Sequence, residues 1–261
     1  MTAPNDNELR ALMADLESDL MPCRGASLDD LALDLFTLGY RRQINPEIIA
    51  DCPVDQQLAS LRFFSLKRRV PNNAGILLFG KDPRRWLPGA YVQFLQFNGT
   101  SLADDIIAKQ EISGDLLSVL RQLDIVTKAQ VRQRPVPVDG SVLREQVART
   151  YPVTALREFL LNAVMHRSYQ SNEPIRYYCF LDRVEIQSPG GLYGEARPEN
   201  FPDQNDYRNP VLAEAMKILG YVNRYGRGVL RAQAELRNNG NPEAELRFDA
   251  GFVQVTARSA L

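Results

Sequence analysis

The sequence predicts an α/β (α+β) fold from three observations. Segments of helical period alternate with segments of strand period along most of the 261 residues. Runs such as AYVQFLQFNGT (90–100) and FVQVTA (252–257) carry the aromatic and β-branched residues that suit strands. Hydrophobic residues make up 44% of the chain, enough to build a core in one large domain or two ordinary ones.

Taken in order, ELRALMADLESDLM (8–21) has helical spacing and is broken by MPCRGAS, so residues 1–26 read as an N-terminal appendage. Ser27 then suits an N-cap, with acidic residues in the first turn of a helix over 28–40. Short helices follow near 46–51 and 55–62, and NNAGILLFG (72–80) fits helix or strand. A strand over 90–100 and a helix over 115–130 lead to RQRPVPVDGS (132–141), where prolines suggest a boundary and alternating valines an edge strand. The expected division is 27–145 for a mixed α/β domain and 146–261 for a second domain.

In that second part Thr154 is the expected cap of a helix running to about 167. PIRYYCFL and RVEIQS flank Asp182 as two tightly joined strands, and SPGGLYGEARPENFPDQNDY (188–207) is a long loop of the kind used as a lid or binding loop. Asn209-Pro210 starts a helix that Gly220 ends, glycines open another over 226–240, and ELRF and FVQVTA close the chain as strands.

The helix REFLLNAVMHRSY (157–169) is apolar almost all round, yet carries Glu158, Asn162 and His166, the last being the only histidine of the chain. At about 100° per residue the three fall within about 80° of one another. A carboxylate, an amide and an imidazole among apolar neighbours must find partners. Either they satisfy a structural network, or the helix lines a pocket in which Glu158 is an acid/base group and Asn162 an oxygen ligand. A hard cation held chiefly by phosphates asks for only one or two protein oxygens. The glycine pairs in SPGG (188–191) and GRGV (226–229) stand on either side of the long loop, and the second opens a helix whose amides could receive an anion. Together they suggest a lidded nucleotide site.

REFLLNAVMHRSY, DRVEIQSPGGL and RNPVLAEAMKILGYVNRYGRGV, in that order, resemble the ATP-binding module of bacterial proteins labelled RecG-like helicases or AlbA/Schlafen-type transcriptional regulators. That module resembles a divergent GHKL domain, the ATP-binding domain of gyrase, heat-shock chaperone, histidine kinase and MutL. ASLDDLALDLF and NNAGILLFGKDPRRWLPGAYVQFLQFNGT resemble the segment preceding it. The resemblance implies a GHKL-like α/β sandwich over 146–261, with a mixed sheet and helices on one face. It implies ATP and Mg2+ as ligands, with Glu158 as the base that activates water, Asn162 on the metal, Ser188, Gly190 and Gly191 at the adenine side, and Gly226, Arg227 and Gly228 at the phosphates. Residues 192–225 become the lid, within which Arg208 could close over the ligand, and His166 could orient Glu158 or touch phosphate. Three departures stand out. Ser188 occupies the place of the aspartate that binds the adenine amine, Leu192 replaces a later glycine, and Ser168 replaces the acid of a His-Arg-Asp-Tyr run. The N-terminus resembles the first helix of an AlbA-type DNA-binding domain, followed at once by the sequence that normally comes after it, as an internal deletion, natural or engineered, would produce.

A RecG-type motor needs Gly-x4-Gly-Lys-[Ser/Thr]; here FGKDP (79–83) lacks the upstream glycine and has Asp82 for the hydroxyl, so helicase activity is excluded for this chain. With 31 basic and 32 acidic residues, overall charge offers no footprint for nucleic acid or anionic membrane. The short basic clusters in RQINPE (42–47) and SLKRRVPNN (65–73) would matter only if they shared a face, and the run LFGKDPRRWLPGA (78–90), with Lys81, Arg84 and Arg85, is expected to be a solvated turn around packed Trp86. The three cysteines suggest neither disulfides nor zinc, which with the short apolar runs points to the cytoplasm, away from membranes. The expected function is a nucleotide-dependent switch with slow ATPase activity in a regulatory protein. The rival is a regulatory module with a vestigial pocket that acts as a homodimer or through a DNA-binding partner. Direct nucleic-acid binding is the least favoured reading.

Overall fold

The computed structural model describes residues 18–44, 52–138, 141–203, 206–222 and 227–260, with backbone alone for 134, 136–138 and 141–147. The expected helix at 46–51, most of the first helix and Gly226 lie outside these residues.

Residues 18–26 are part of the body rather than an appendage. Asn73 N–H donates to Met21 O, Cys23 N–H to Pro71 O, and the Asn73 amide to Ser18 O. Ser27 caps where expected, with a reciprocal bond from its own N–H to Asp30, but what it caps is one 3-10 turn, Leu28–Asp30, because Leu31 leaves the helix to bridge Gly80. The helical turn after it is a π-helix, Leu35–Tyr40. Helix α1 (Val54–Ser60) leads into the short hairpin of β1 (Phe64–Ser65) and β2 (Val70–Pro71). The ambiguous apolar run forms helix α2 (Asn73–Phe79), because Asn72 accepts from Gly75 N–H and caps it. Phe36, Tyr40, Phe63 and Phe79 meet edge to face with ring centroids 5.2 to 5.8 Å apart, and fix this end of the molecule.

Strand β3 (Val92–Phe97) pairs with β4 (Ile106–Ile112), an edge strand that sequence reading missed because its apolar residues do not alternate. Helix α3 (Leu116–Gln130), capped by Asp115, is followed by a separate hairpin of β5 (Gln133–Val138) and β6 (Ser141–Arg149). Helix α4 (Val153–His166) starts at Pro152. Thr154, the expected cap, lies in the first turn and donates to Glu235 instead. The chain continues through β7 (Ile175–Cys179), β8 (Arg183–Pro189), helices α5 (Pro210–Ile218) and α6 (Gly228–Asn238), and strands β9 (Glu245–Phe248) and β10 (Phe252–Arg258).

One six-stranded mixed sheet runs β4-β3-β7-β8-β10-β9, with β3 and β7 parallel and every other pair antiparallel. Strands from both sides of residue 145 therefore share a sheet and a core. Burial alternates along β7 and along β8 as far as Ser188: Ile175, Tyr177, Val184 and Ile186 are buried, while Arg176, Tyr178, Glu185 and Gln187 are half-exposed on the other face. Helix α4 packs on β8 between α3 and α6, with Leu156, Phe159, Leu160 and Val164 almost fully buried. Each such side chain contributes about 1.5–3 kcal/mol relative to exposure. Helix α4 is thus pressed between sheet and helices, and its polar stripe must face something other than water. Among the described residues no helix is long and apolar enough to cross a membrane.

Candidate functional site

Beside α4 lies a cavity of about 130 Å³. Its floor is the helix-facing side of β8 and β10, including Ile186, Ser188 and Val255; one wall is α4 and the other the start of α6. The long loop forms the roof through Tyr193, Phe201 and Tyr207. Of the residues singled out from sequence, Glu158, Asn162, His166, Ser188, Gly190, Gly191 and Gly228 line this one cavity.

Glu158 is nearly buried, with Arg157 Nη1 at 3.2 Å and Arg231 Nη2 at 4.0 Å from its Oε1. Arg157 also donates to Tyr221 O at 2.6 Å, tying the end of the lid segment to α4. Gly228 is a glycine because α6 comes so close: a Cβ there would stand 2.6 Å from Glu158 Oε2. The carboxylate therefore lies against the first turn of α6, where a helix favours negative charge. Asn162, one turn further along α4, faces the cavity half-exposed with no hydrogen bond from its side chain among the described residues.

His166 closes the other end of the stripe. Its ring stacks on Tyr207 of the lid, centroids 5.4 Å apart at 14°, and donates to the Asp206 backbone carbonyl. Burial first, then the nearby Arg208 charge, push its pKa down to about 4, so the imidazole is neutral at pH 7. This has a measurable consequence. Below pH 6.5 the unfolded chain takes up a proton that the folded chain refuses until about pH 4, so stability is complete above pH 6.5 and falls as the pH drops through that window, by up to about 3 kcal/mol. Urea unfolding of wild type and His166→Phe between pH 7 and pH 4 measures it, and the single histidine makes its NMR titration unambiguous. A ring that titrates near 6.5 in the folded protein would rule out the closed contact with the lid.

Other expected residues have different surroundings. Ser188 Oγ donates to Ala163 O of α4 at 2.9 Å, leaving only its lone pairs for a ligand. The amides of Gly190 and Gly191 donate to Gly251 O and Ala250 O, so SPGG is not an open nest for an anion. These glycines answer to geometry: Gly190 has φ +92°, and a Cβ on Gly191 would stand 2.4 Å from Asp249 O. Arg208 donates to His166 O and Gly191 O and lies over the Tyr193 ring, bracing the lid base rather than lining the cavity. Arg227 is exposed at the N-cap of α6. Asn209, expected to cap α5, makes no cap there; its amide donates to Met165 O and Arg167 O at the end of α4. Asp19, 193 residues away, caps α5 instead by accepting from Leu212 N–H. Sequence reading also missed the aromatic roof and Arg231, whose spacing from Gly228 is visible but whose approach to Glu158 is not.

Among the described residues the cavity combines an apolar slot that suits a flat ring with a polar end holding the Glu158 carboxylate, the Asn162 amide and the N-terminus of α6. Among the described residues no three acidic, histidine or cysteine side chains are grouped to hold a metal unaided.

Residues 172–257, about a third of the chain, match the family described as "Putative ATP-dependent DNA helicase recG C-terminal". The match spans β7 to β10 and stops short of α4. No curated protein matches the chain. Among solved structures, the DIP2311 protein of Corynebacterium diphtheriae superposes with a TM-score of 0.69 at 23% identity, over 93% of this chain. This chain spans 47% of that protein's length, and the likeness establishes a shared fold.

Proposed function

We propose that the cavity binds ATP with Mg2+ and that the protein is a nucleotide-dependent switch with slow hydrolysis, serving regulation in the cytoplasm. The observation that carries this reading is the meeting of Glu158, Asn162 and the α6 N-terminus at one end of a lidded apolar slot. The residues fit the ligands. An amide oxygen that no hydrogen bond engages among the described residues would be a suitable protein contribution to Mg2+, with phosphate oxygens and waters supplying the rest. Bound there, the ion would supply positive charge against the phosphates. Ser188 retains the acceptor capacity that an adenine amine needs, without a carboxylate's charge.

Glu158 then accepts a proton from the attacking water as general base. Arg157 and Arg231 hold its carboxylate against α6. Asn162 would hold the ion beside the ligand's phosphates, and Tyr207, Phe201 and Tyr193 exclude water from the slot. The lid is joined through His166 and Arg208 to α4, the helix that also carries Glu158, which gives occupancy a route to loop position. The helicase named in the family description is not carried over, since Lys81 of FGKDP donates to Asp29 O and no P-loop is present in the sequence.

Calorimetric titration with ATP, ADP and GTP, each with Mg2+, tests the reading. The wild type should bind ATP, and saturation at about 100 times Kd should stabilise it by about 2.7 kcal/mol. Asn162→Ala should lose most of the magnesium dependence. A wild type that binds none of the three would leave a vestigial pocket in a dimerising module, which the bond from Ser188 to Ala163 favours as the second reading.

A further inference from the structure

The hairpin of β1 and β2 carries a four-residue tip, Leu66-Lys67-Arg68-Arg69, exposed throughout. Among the described residues no ion pair engages Lys67, Arg68 or Arg69 and none of their side chains makes a hydrogen bond; only the Arg68 backbone N–H donates, to Ser65 Oγ. The basic run at 81–86 is the opposite case. Lys81 donates to Asp29 O, Arg84 pairs with Glu111 at 2.8 Å and covers Tyr91, and Arg85 lies near Asp30 and over Trp86. That run is a self-satisfied turn, whereas the tip has three adjacent charges with no internal use.

The tip is also rigidly mounted. Phe63, directly before β1, packs edge to face against Tyr40 and Phe79. Asn72, directly after β2, donates to Arg62 O and accepts from Gly75 N–H, joining both hairpin ends to α2. Arg69 holds a left-handed backbone with φ 54°, a conformation costing about 1 kcal/mol or more for such a side chain and ordinarily given to glycine or asparagine. An arginine kept there points to a use for its charge. Arg42, exposed on the turn beside Tyr40, adds a further cation at this end of the molecule.

We infer that the β1–β2 hairpin is a phosphate-backbone contact for double-stranded nucleic acid, distinct from the nucleotide cavity. Exposed pairs of a cation with a carboxylate are worth only about 0–1 kcal/mol, so an acidic peptide gains little from such a tip. A duplex gains more, because its dense phosphates release condensed counterions for every cation that reaches them. A ribbon whose strands are about 4.8 Å apart can enter a groove about 12 Å wide with cations toward both walls. A membrane is the poorer partner, since Leu66 is the one apolar residue of the tip and lipid recognition uses about 4–8 clustered cations. The contact positions without reading sequence, as arginine and lysine do on phosphates.

Fluorescence anisotropy of a labelled mixed-sequence duplex tests this. Three phosphate contacts predict a log–log salt slope of about −2.7, so affinity should fall roughly 40-fold between about 50 and 200 mM salt. The variant Lys67→Glu/Arg68→Glu/Arg69→Glu should lose binding altogether while keeping its thermal transition, because none of the three touches the core. The control Lys109→Glu/Arg121→Glu/Lys128→Glu makes the same change in net charge on β4 and α3 and should keep the slope. Equal losses in the two variants, or no binding by the wild type, overturn the assignment. Polyglutamate or phosphatidylserine vesicles that bind as tightly as the duplex with the same salt slope overturn it too.

Discussion

Replacing Arg167 by methionine should lower the free energy of unfolding by roughly 2–5 kcal/mol, among the largest effects a single substitution in this chain can have. Arg167 directly follows α4, is 1% exposed, and faces no carboxylate among its hydrogen-bond partners. Its guanidinium donates to the carbonyls of Gly89, Ser168, Ser171 and Glu173, and burial lowers its pKa without removing its charge. It gathers the loop before β3 and the loop before β7 onto the end of α4. Gly89 must be a glycine for this, since a Cβ there would stand 2.3 Å from Ser171 O. Methionine matches the apolar stem but leaves the Ser171 and Glu173 carbonyls without a donor among the described residues, while Gly89 O and Ser168 O keep only the N–H groups of Tyr91 and Ser171. Lysine should recover little, because a single ammonium cannot reproduce the fork. Urea unfolding measures the loss; a change below about 0.5 kcal/mol would show that water replaces the guanidinium and that the bonds are incidental.

The second large effect concerns activity. Glu158→Gln should reduce ATP hydrolysis by about 10²–10⁴-fold, the range expected for removal of a general base, while ATP affinity stays within a few-fold. Gly228→Ala is the geometric companion. Its methyl would meet Glu158 Oε2 at 2.6 Å, and the flexible end of the glutamate must swing away. Turnover should fall while the fold holds, because what gives way is the far end of a flexible side chain and not the backbone. Single-turnover hydrolysis with direct titration of affinity separates the outcomes. If Glu158→Gln loses affinity and stability in parallel with turnover, the carboxylate is a structural counter-ion to Arg157 and Arg231, and the base must be sought elsewhere.

Much of the architecture was legible because its signals are local. The alternation in RVEIQS and the stop at Gly220 act over a few residues, and β8 and α5 follow them, whereas NNAGILLFG fits helix or strand until the fold shows Asn72 capping α2. Strand β4 was not legible, since an edge strand exposed on both faces has no alternation to display. The prolines around 132–141 read as a boundary or an edge strand, and the backbone there forms one arm of a two-stranded hairpin. Ser27 capped where expected, but Thr154 did not, because Pro152 already sets the start of α4 and leaves the threonine inside the helix.

The candidate site divides in the same way. By itself the sequence determined that Glu158, Asn162 and His166 share one side of a buried helix, since helical periodicity is intrinsic to the chain, and that glycines flank a long polar loop. Only the tertiary structure decided what each polar atom faces. Ser188 donates to α4, the Gly190 and Gly191 amides are closed by the turn before β10, Asn209 caps α4 rather than α5, and Asp19 caps α5 from the far end of the chain. The same holds for the cations, where the run at 81–86 finds partners and the tip at 67–69 finds none among the described residues. Secondary structure follows from neighbours a few positions away, but a hydrogen bond is decided by whichever group the fold brings within about 3 Å, and that group can come from anywhere in the chain.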